Sequence, residues 1–532
     1  MRIFERIGED PVSYTHLDVY KRQDSVSLMS LSERLKGMAG VVSAEVVMAT
    51  PANREILEKQ GLTVPENASP SDLLIAVAAD NADVLAEACK TAESLLSGSA
   101  GGGRRRYTSL GQLAGSGYNL AQISLPGQYA FEQGKQALEM DMDVFIFSDN
   151  VTLEEERALK ELGRERNRLV MGPDCGVGLI DGVALAAGSI VAPGRVGIVG
   201  ASGSGAQEVA CLVEACGLGV SSLIGTGGRD LYPEIGGITM SMGLSRLAAD
   251  ADTGVIVLVS KLADAAVMED ILTQADAAGK PTVAVFLGAD RDLFASHRTI
   301  GANSLEDAAL TAVELLTGER PALKPLDSDL ALRAKAEASR LTPEQRYFRG
   351  LYCGGTFVEE ALVWLSSQHP HLPLTSNLKT RYARQLDDHE ISEENCLLDL
   401  GAEDFTALTP HPVFDPAIRL KRFQRELADP TVGLISLDFI TGPSLHPHPA
   451  DAFIELCRRA PELRGNAPII LAANICGAKG DPQNVEDIKR KLAEAGVVLT
   501  RSSRQSAYFA GRVMDRMRKG EAVNGLHTTA RV

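Results

Sequence analysis

The sequence predicts an α/β protein of several domains, built on parallel sheets covered by helices on both faces. Three observations carry this expectation. From residue 107 onward, short apolar runs alternate with helical patterns, as in β-α-β units. The runs VFIF, VGIV, VIVLV and TVAVF are continuously apolar, as expected of strands buried on both faces. And 532 residues exceed what one core organises, so three or four domains of ordinary size are expected.

Composition fits a globular chain, 45% apolar and 23% charged. The net charge of −17 argues against nucleic-acid partners and anionic membrane surfaces. No run of about 18 apolar residues is present, so no membrane span is expected. The 8 cysteines form no C-x-x-C pair, and none has zinc spacing with a histidine. A cytoplasmic location with no metal site is therefore the expectation. His446 and His448 alternate with prolines in a loop, which is a poor metal pattern.

The N-terminus stands apart. Pro11–Gln23, PVSYTHLDVYKRQ, can be encoded by a string that is its own reverse complement from the second base onward. It resembles two head-to-head copies of a transposon end used in sequencing-library preparation. Residues 1–23 are expected to be wholly or partly an assembly artefact, and are set aside from the fold. Recovery of these codons from source DNA would refute this. The segment lacks the apolar centre of a signal peptide.

Residues 24–98 read as a small α/β domain. VVSAEVVMAT and SDLLIAVAA are strand-like, PANREILEKQG is helical with Pro near its start, and NADVLAEACKTAESLLSG is a second helix. Residues 99–106 are a Gly- and Arg-rich linker. Residues 107–192 hold strand NLAQISLPG, helix QYAFEQGKQALEM, strand DMDVFIFSDN, a helix opening at a Thr cap, and the strand and loop RLVMGPDCGVGLI. Residues 193–318 repeat the rhythm four times. Residues 319–346 form a charged helical linker, 347–520 a further α/β domain, and 521–532 a tail.

The stretch VGIVGASGSGAQEV runs from a strand into a helix through Gly200, Gly203 and Gly205. A dinucleotide fingerprint requires G-x-G-x-x-G, but here the order is G-x-x-G-x-G, and Glu208 stands where a third Gly would follow Gly203. A phosphate-binding Walker loop lacks its Lys, and a nucleophile elbow lacks its closing Gly. An anion cradle remains: the N–H groups of Ser202, Gly203, Ser204 and Gly205 at a helix start, with two hydroxyls. The alternative is a tight turn that only packs helix on sheet. Two further loops lie at the carboxyl ends of expected strands, where such sheets bind ligands. They are Pro173-Asp174-Cys175-Gly176 and Gly227-Gly228-Arg229-Asp230. Cys175 is a candidate nucleophile, although a small buried Cys at a turn fits its surroundings better. Arg229 and Asp230 could hold a carboxylate substrate or pair with each other. Cys211 and Cys216, five apart on one helix, read as core.

Several of these segments resemble the α subunit of succinyl-CoA synthetase: ISLPGQYA, FSDNVTLEEE, LVMGPDCGVGLI, VGIVGASGSGAQEV and IGTGGRDLYPEIGG. With DSVSLM, MATPAN, KPTVAVFLG and GLYCGGT, the chain from Asp24 onward is identified as a member of the FdrA family of acyl-CoA-synthetase-like proteins. The resemblance implies a Rossmann-like CoA-binding-type domain at 107–192 and two flavodoxin-like succinyl-CoA-ligase domains at 193–318 and 347–520. It also implies a phosphate held by facing helix starts, one of them Ser202–Ala206, and carried by an active-site His.

The sequence departs from that pattern. His297 is the only His in the segment that would carry phosphate, and it is flanked by Ser and Arg instead of Gly and Ala. It reads more readily as an exposed loop residue. The acidic residue that supports a phosphohistidine falls near Ser245, which cannot orient and charge an imidazole. GGGRRRYTSLGQLAGSG lacks the strand-plus-Gly pattern that holds CoA, which argues against CoA binding. No segment remains for an ATP-grasp domain, so ATP or ADP would enter only through a partner subunit.

Three functions stay open. The first is a ligase-like subunit handling a phosphoryl or acyl phosphate. The second is a subunit of an oxamate (oxalurate) carbamoyltransferase in purine and allantoin breakdown, using phosphate or carbamoyl phosphate. The third is a non-catalytic scaffold of the same fold.

Overall fold

The computed structural model describes residues 5–6, 12–18, 25–59, 64–65, 68, 72–97, 109–113, 115–261, 263–406 and 409–528. The expected linker at 99–106 lies outside them. The chain divides into two compact units, residues 1–168 with 406–410, and residues 169–405 with 411–532.

The first unit opens with a four-stranded sheet. Strands Val12–Asp18 and Val41–Met48 flank Leu73–Ala79, both antiparallel to it. Period-two alternation gives the central strand two uses. Leu73, Ile75 and Val77 pack with Leu28, Leu31, Leu35, Leu85 and Ala88 of helices Ser25–Lys36 and Ala82–Ser97. Leu74 and Ala76 pack with Leu57 of helix Pro51–Lys59. Val12–Asp18 thus forms a strand within the segment set aside in the sequence reading. Further on, strands Leu120–Ile123 and Asp143–Ile146 pair in parallel, with helices Gly127–Glu139 and Leu153–Glu165. The expected Thr cap is Thr152, in a capping box: its hydroxyl accepts from Glu155 N, and the Glu155 carboxylate accepts from Thr152 N.

The second unit holds two seven-stranded sheets. The central sheet runs in the order 300–301, 282–286, 255–260, 193–200, 220–225, 177–180, 183–186. Its first five strands are parallel, and Val255–Ser260 and Thr282–Phe286 are buried at every residue. The last two strands form an antiparallel hairpin, closed by Asp181 and Gly182, both at positive φ. Asp-Gly suits such a turn. The hairpin, which precedes the expected boundary at 192/193, joins this sheet through Leu179, paired with Leu223. VGLI-DG-VALA, the end of the expected strand and loop RLVMGPDCGVGLI and the residues after it, carries that turn signal.

The C-terminal sheet is wholly parallel, in the order 384–385, 374–376, 395–399, 347–352, 432–440, 470–476, 498–500. Phe423, Phe439 and Phe453 fill its core on one face. The expected linker at 319–346 carries helix Asp327–Ala338. In both sheets the order of the strands reverses at one strand. Pro193–Gly200 lies between Val220–Gly225 and Val255–Ser260, and Tyr347–Tyr352 between Asn395–Asp399 and Val432–Ile440. Such switch points leave a crevice at the carboxyl ends of the strands.

Candidate functional site

Each switch-point strand runs through a Gly-containing turn into a helix. Pro193–Gly200 leads into helix Gly203–Ala215, capped by Ser202, whose hydroxyl accepts from Gly205 N at 3.3 Å. Tyr347–Tyr352 leads into helix Gly355–Gln368, entered at Gly354. The two starts meet: Ser202 Oγ lies 2.5 Å from Thr356 Oγ1. Gly205 makes the approach possible. A Cβ there would sit 2.6 Å from Ser202 Oγ and 2.9 Å from Thr356 Cγ2. Gly203 is exposed and Ser204 half-buried, and among the described residues nothing accepts from their N–H groups.

Buried carboxyls lie one turn deeper. Glu208 and Glu360, each five residues into its helix, both reach Ser503, the first residue of helix Ser503–Thr528. Ser503 N and Oγ contact Glu208 Oε1 at 2.7 and 3.0 Å, and Ser503 Oγ also bonds Glu360 Oε2. The other Glu360 oxygen accepts from Leu305 N at 2.7 Å. One hydroxyl proton cannot serve two carboxylates, so one of the acids is protonated and donates to Ser503 Oγ. Burial is the main cause. It lifts Glu208 well above the usual range and Glu360 to about 7, with the negative charge of Glu306 adding to both. Glu306 is held by Ser502 and by Arg504, whose guanidinium also reaches Asp327.

The second helix start carries its own anions. Asp438 accepts from Cys353 N at 2.9 Å and Gly354 N at 2.8 Å, and pairs with Arg419 at 2.7 Å. Arg419 also stacks over Phe439 and Phe453. A Cβ on Gly355 would lie 2.3 Å from Asp399 Oδ2 and 3.3 Å from Lys261 Nζ. Burial raises Asp399 to about 6, against the pull of the Lys261 charge. It lowers nearby His411 to about 4, so that imidazole is neutral at pH 7.

The loops chosen from sequence do gather at this edge of the central sheet. Thr226 N donates to Gly200 O at 2.8 Å, and a Cβ on Gly203 would lie 3.6 Å from Val177 Cγ2. What approaches Gly227 is this chain's own Pro173, whose carbonyl would lie 2.3 Å from a Cβ there; Gly227 also has φ +82°. Gly228 faces open space. Asp174 adopts positive φ. Cys175 is buried: its thiol packs on Gly225 and donates to Val177 O at 3.5 Å, as a structural turn cysteine would. Asp230 is fully buried and accepts from Thr239 N and Met240 N, so it caps helix Ile238–Ala249. Arg229 is half-buried beside it.

His297 is not brought to the cradle. It contacts Asp276 at 2.9 Å and Glu269 at 3.2 Å on helix Ala265–Ala277. It precedes Ile300, which pairs with Val283 at the beginning of its strand. That is the amino end of the sheet, and Ser202 is at the carboxyl end. What reaches the cradle from this stretch is Leu305, whose Cδ2 would lie 3.3 Å from a Cβ on Gly205. Ser245 is exposed and bonds back to Ser241 O of its own helix. Thr356, Glu360, Lys261 and Asp399 are not singled out from sequence, and Glu208 only as the residue that breaks a dinucleotide fingerprint. CGGTFVEE offered a signal, since it repeats the strand–glycine–helix grammar of GASGSGAQE with Glu at the same depth.

Comparison with known proteins places these domains. A family model for a CoA-ligase matches residues 351–513, one for a CoA binding domain matches 191–288, and one for an AllF heavy metal-associated domain matches 15–109. The CoA-binding match falls downstream of 107–192, so the absence of a CoA loop there does not argue against CoA. The α subunit of malate–CoA ligase from Methylorubrum extorquens is 26% identical over 110 residues, 20% of this chain and 36% of that protein. The structure of ATP citrate lyase from Methanothrix soehngenii in complex with citrate and coenzyme A is 20% identical, covering 42% of this chain and 39% of that one. Its TM-score is 0.30, too low to argue from. Among the described residues no helix is long and apolar enough to cross a membrane. The uncharacterized protein YahF of Escherichia coli K12 is 38% identical over 502 residues, 92% of this chain and 96% of YahF. With CoA-binding-type and CoA-ligase-type domains in an α/β fold, this chain belongs to the YahF family.

Proposed function

We propose that this chain is an FdrA-type, acyl-CoA-synthetase-like subunit that holds a phosphoryl or acyl phosphate group at the Gly203–Ser204 helix start and works with a nucleotide-binding partner chain in the cytoplasm. The carrying observation is the meeting of two helix starts at the switch points of two sheets, through Ser202 and Thr356. Exposed N–H groups on a positive helix end favour a small anion. The CoA-binding and CoA-ligase matches support an acid–thiol ligase chemistry, as does the likeness to a malate–CoA ligase subunit.

A second reading is favoured by the position of His297. With His297 held at the opposite end of the sheet, transfer at the cradle proceeds without that phosphohistidine, as carbamoyl transfer between oxalurate and phosphate would. That reaction needs anion cradles and positioning only.

Titration calorimetry of the chain with phosphate, carbamoyl phosphate, oxamate and CoA, alone and with its co-purified partner, separates the readings. Gly203→Val or Ser204→Pro abolishes phosphate-dependent binding and activity, while His297→Ala leaves both intact. CoA-dependent turnover supports the ligase; carbamoyl phosphate formed without CoA supports the transferase. Loss of activity in His297→Ala would restore phosphohistidine chemistry, and no ligand binding at all would leave a scaffold.

A further inference from the structure

The opposite end of helix Gly355–Gln368 carries a second group of chemically capable side chains. The helix stops at His369, and the following turn returns His371. Helix Ser503–Thr528 contributes Asp515. His369 Nδ1 lies 3.0 Å from Asp515 Oδ1, and His371 Nε2 lies 3.2 Å from the same oxygen. The three ligand atoms all lie within 4.8 Å of one another.

Zinc bonds to imidazole nitrogen and carboxylate oxygen are about 2.0–2.2 Å long, which sets the edges of a tetrahedron near about 3.3 Å. The two separations from Asp515 are close to that edge, and the two imidazole nitrogens lie within 4.8 Å of each other. The rings meet at 69° with centroids 6.1 Å apart, so they converge on the carboxylate without stacking on each other. His369 is fixed from behind. A Cβ on Gly511 would sit 2.3 Å from its Nε2, so Nδ1 is the nitrogen turned toward the group. His371 is half exposed, which gives an entry path and room for water in a fourth position.

We infer that His369, His371 and Asp515 form a binding site for one divalent transition metal of the zinc class. Two imidazoles and one carboxylate suit zinc and disfavour magnesium and calcium, which take oxygen ligands. The site ties the 369–371 turn to the C-terminal helix. It lies a full 14-residue helix, about 20 Å, from the Ser202–Thr356 contact, so its role is structural and independent of the proposed anion chemistry.

The test uses the full chain, stripped with a chelator and titrated with zinc near neutral pH. One equivalent binds, and the melting temperature rises with zinc because the metal binds only the folded state. His371→Ala and Asp515→Asn each weaken binding at least about tenfold and remove the zinc-dependent rise. His371 is partly exposed and Asn keeps the shape of Asp, so both variants fold, as circular dichroism checks. Cobalt in place of zinc gives a spectrum without a thiolate charge-transfer band, which separates this site from the 8 cysteines. Equal zinc binding in the parent and both variants, a thiolate band, or no binding would overturn the inference.

Discussion

The starts of helices Gly203–Ala215 and Gly355–Gln368 hold equivalent places in their sheets, yet one is open and the other is filled. At the first, Gly203 is exposed and, among the described residues, the side chain that caps the turn is the neutral Ser202. At the second, Cys353 N and Gly354 N are both taken by Asp438, and Asp399 lies against Gly355. The same backbone grammar thus gives different capacity for an external anion. The difference comes from neighbouring strands: Asp399 ends one and Asp438 lies near the end of another, while the strands beside Ser202 supply no carboxylate there.

The comparison can be broken at four points. The largest effect is expected from Arg419→Ala. It leaves Asp438 buried with the helix-start N–H groups and the Cys353 thiol as partners and no opposing charge from Arg419, and should cost about 3–5 kcal/mol in urea unfolding. A loss under about 1 kcal/mol would mean the helix start alone balances Asp438. Next is Gly205→Val, whose side chain must enter the Ser202–Thr356 contact. A cost of about 1–3 kcal/mol is expected, and wild-type stability would show that the helix starts separate easily.

The third is a pH effect. The fold raises Glu360 from its ordinary 4.5 to about 7, so the folded state binds this proton more tightly than the unfolded chain does. The resulting stability is present in full below the unfolded value and is lost as pH rises through about 7. Glu360→Gln should therefore gain on the parent between about pH 5 and pH 8, seen as a rising difference in melting temperature. A constant difference across that range would place the shared proton elsewhere. The smallest effect is expected from Thr356→Val. It removes the hydroxyl facing Ser202 and should cost about 0.5–1.5 kcal/mol while leaving Glu360 titration unchanged.

Much of the fold was legible. Continuously apolar strands announced parallel sheets, Thr152 marked its helix, and GASGSGAQE marked the open helix start. Other positions needed tertiary contacts to place. Cys175 packs on Gly225, in keeping with the buried turn cysteine that its surroundings favour in the sequence, and Asp230 caps helix Ile238–Ala249. Gly227 signals a close approach, and Pro173 makes one. His297 lay in the right stretch of sequence but at the wrong end of the sheet, because the loop doubles back before Ile300.

By itself the sequence determined the order of strands and helices and the position of the glycine turn, since periodicity, caps and turn residues act over a few residues. Only the tertiary structure decided which helix start stays open. Ser202 and Thr356 are 154 residues apart, and Glu208 and Ser503 are 295 apart. Their burial, their shared proton and the carboxylates that fill the second start arise when distant strands bring charges together out of water, and no local pattern records that.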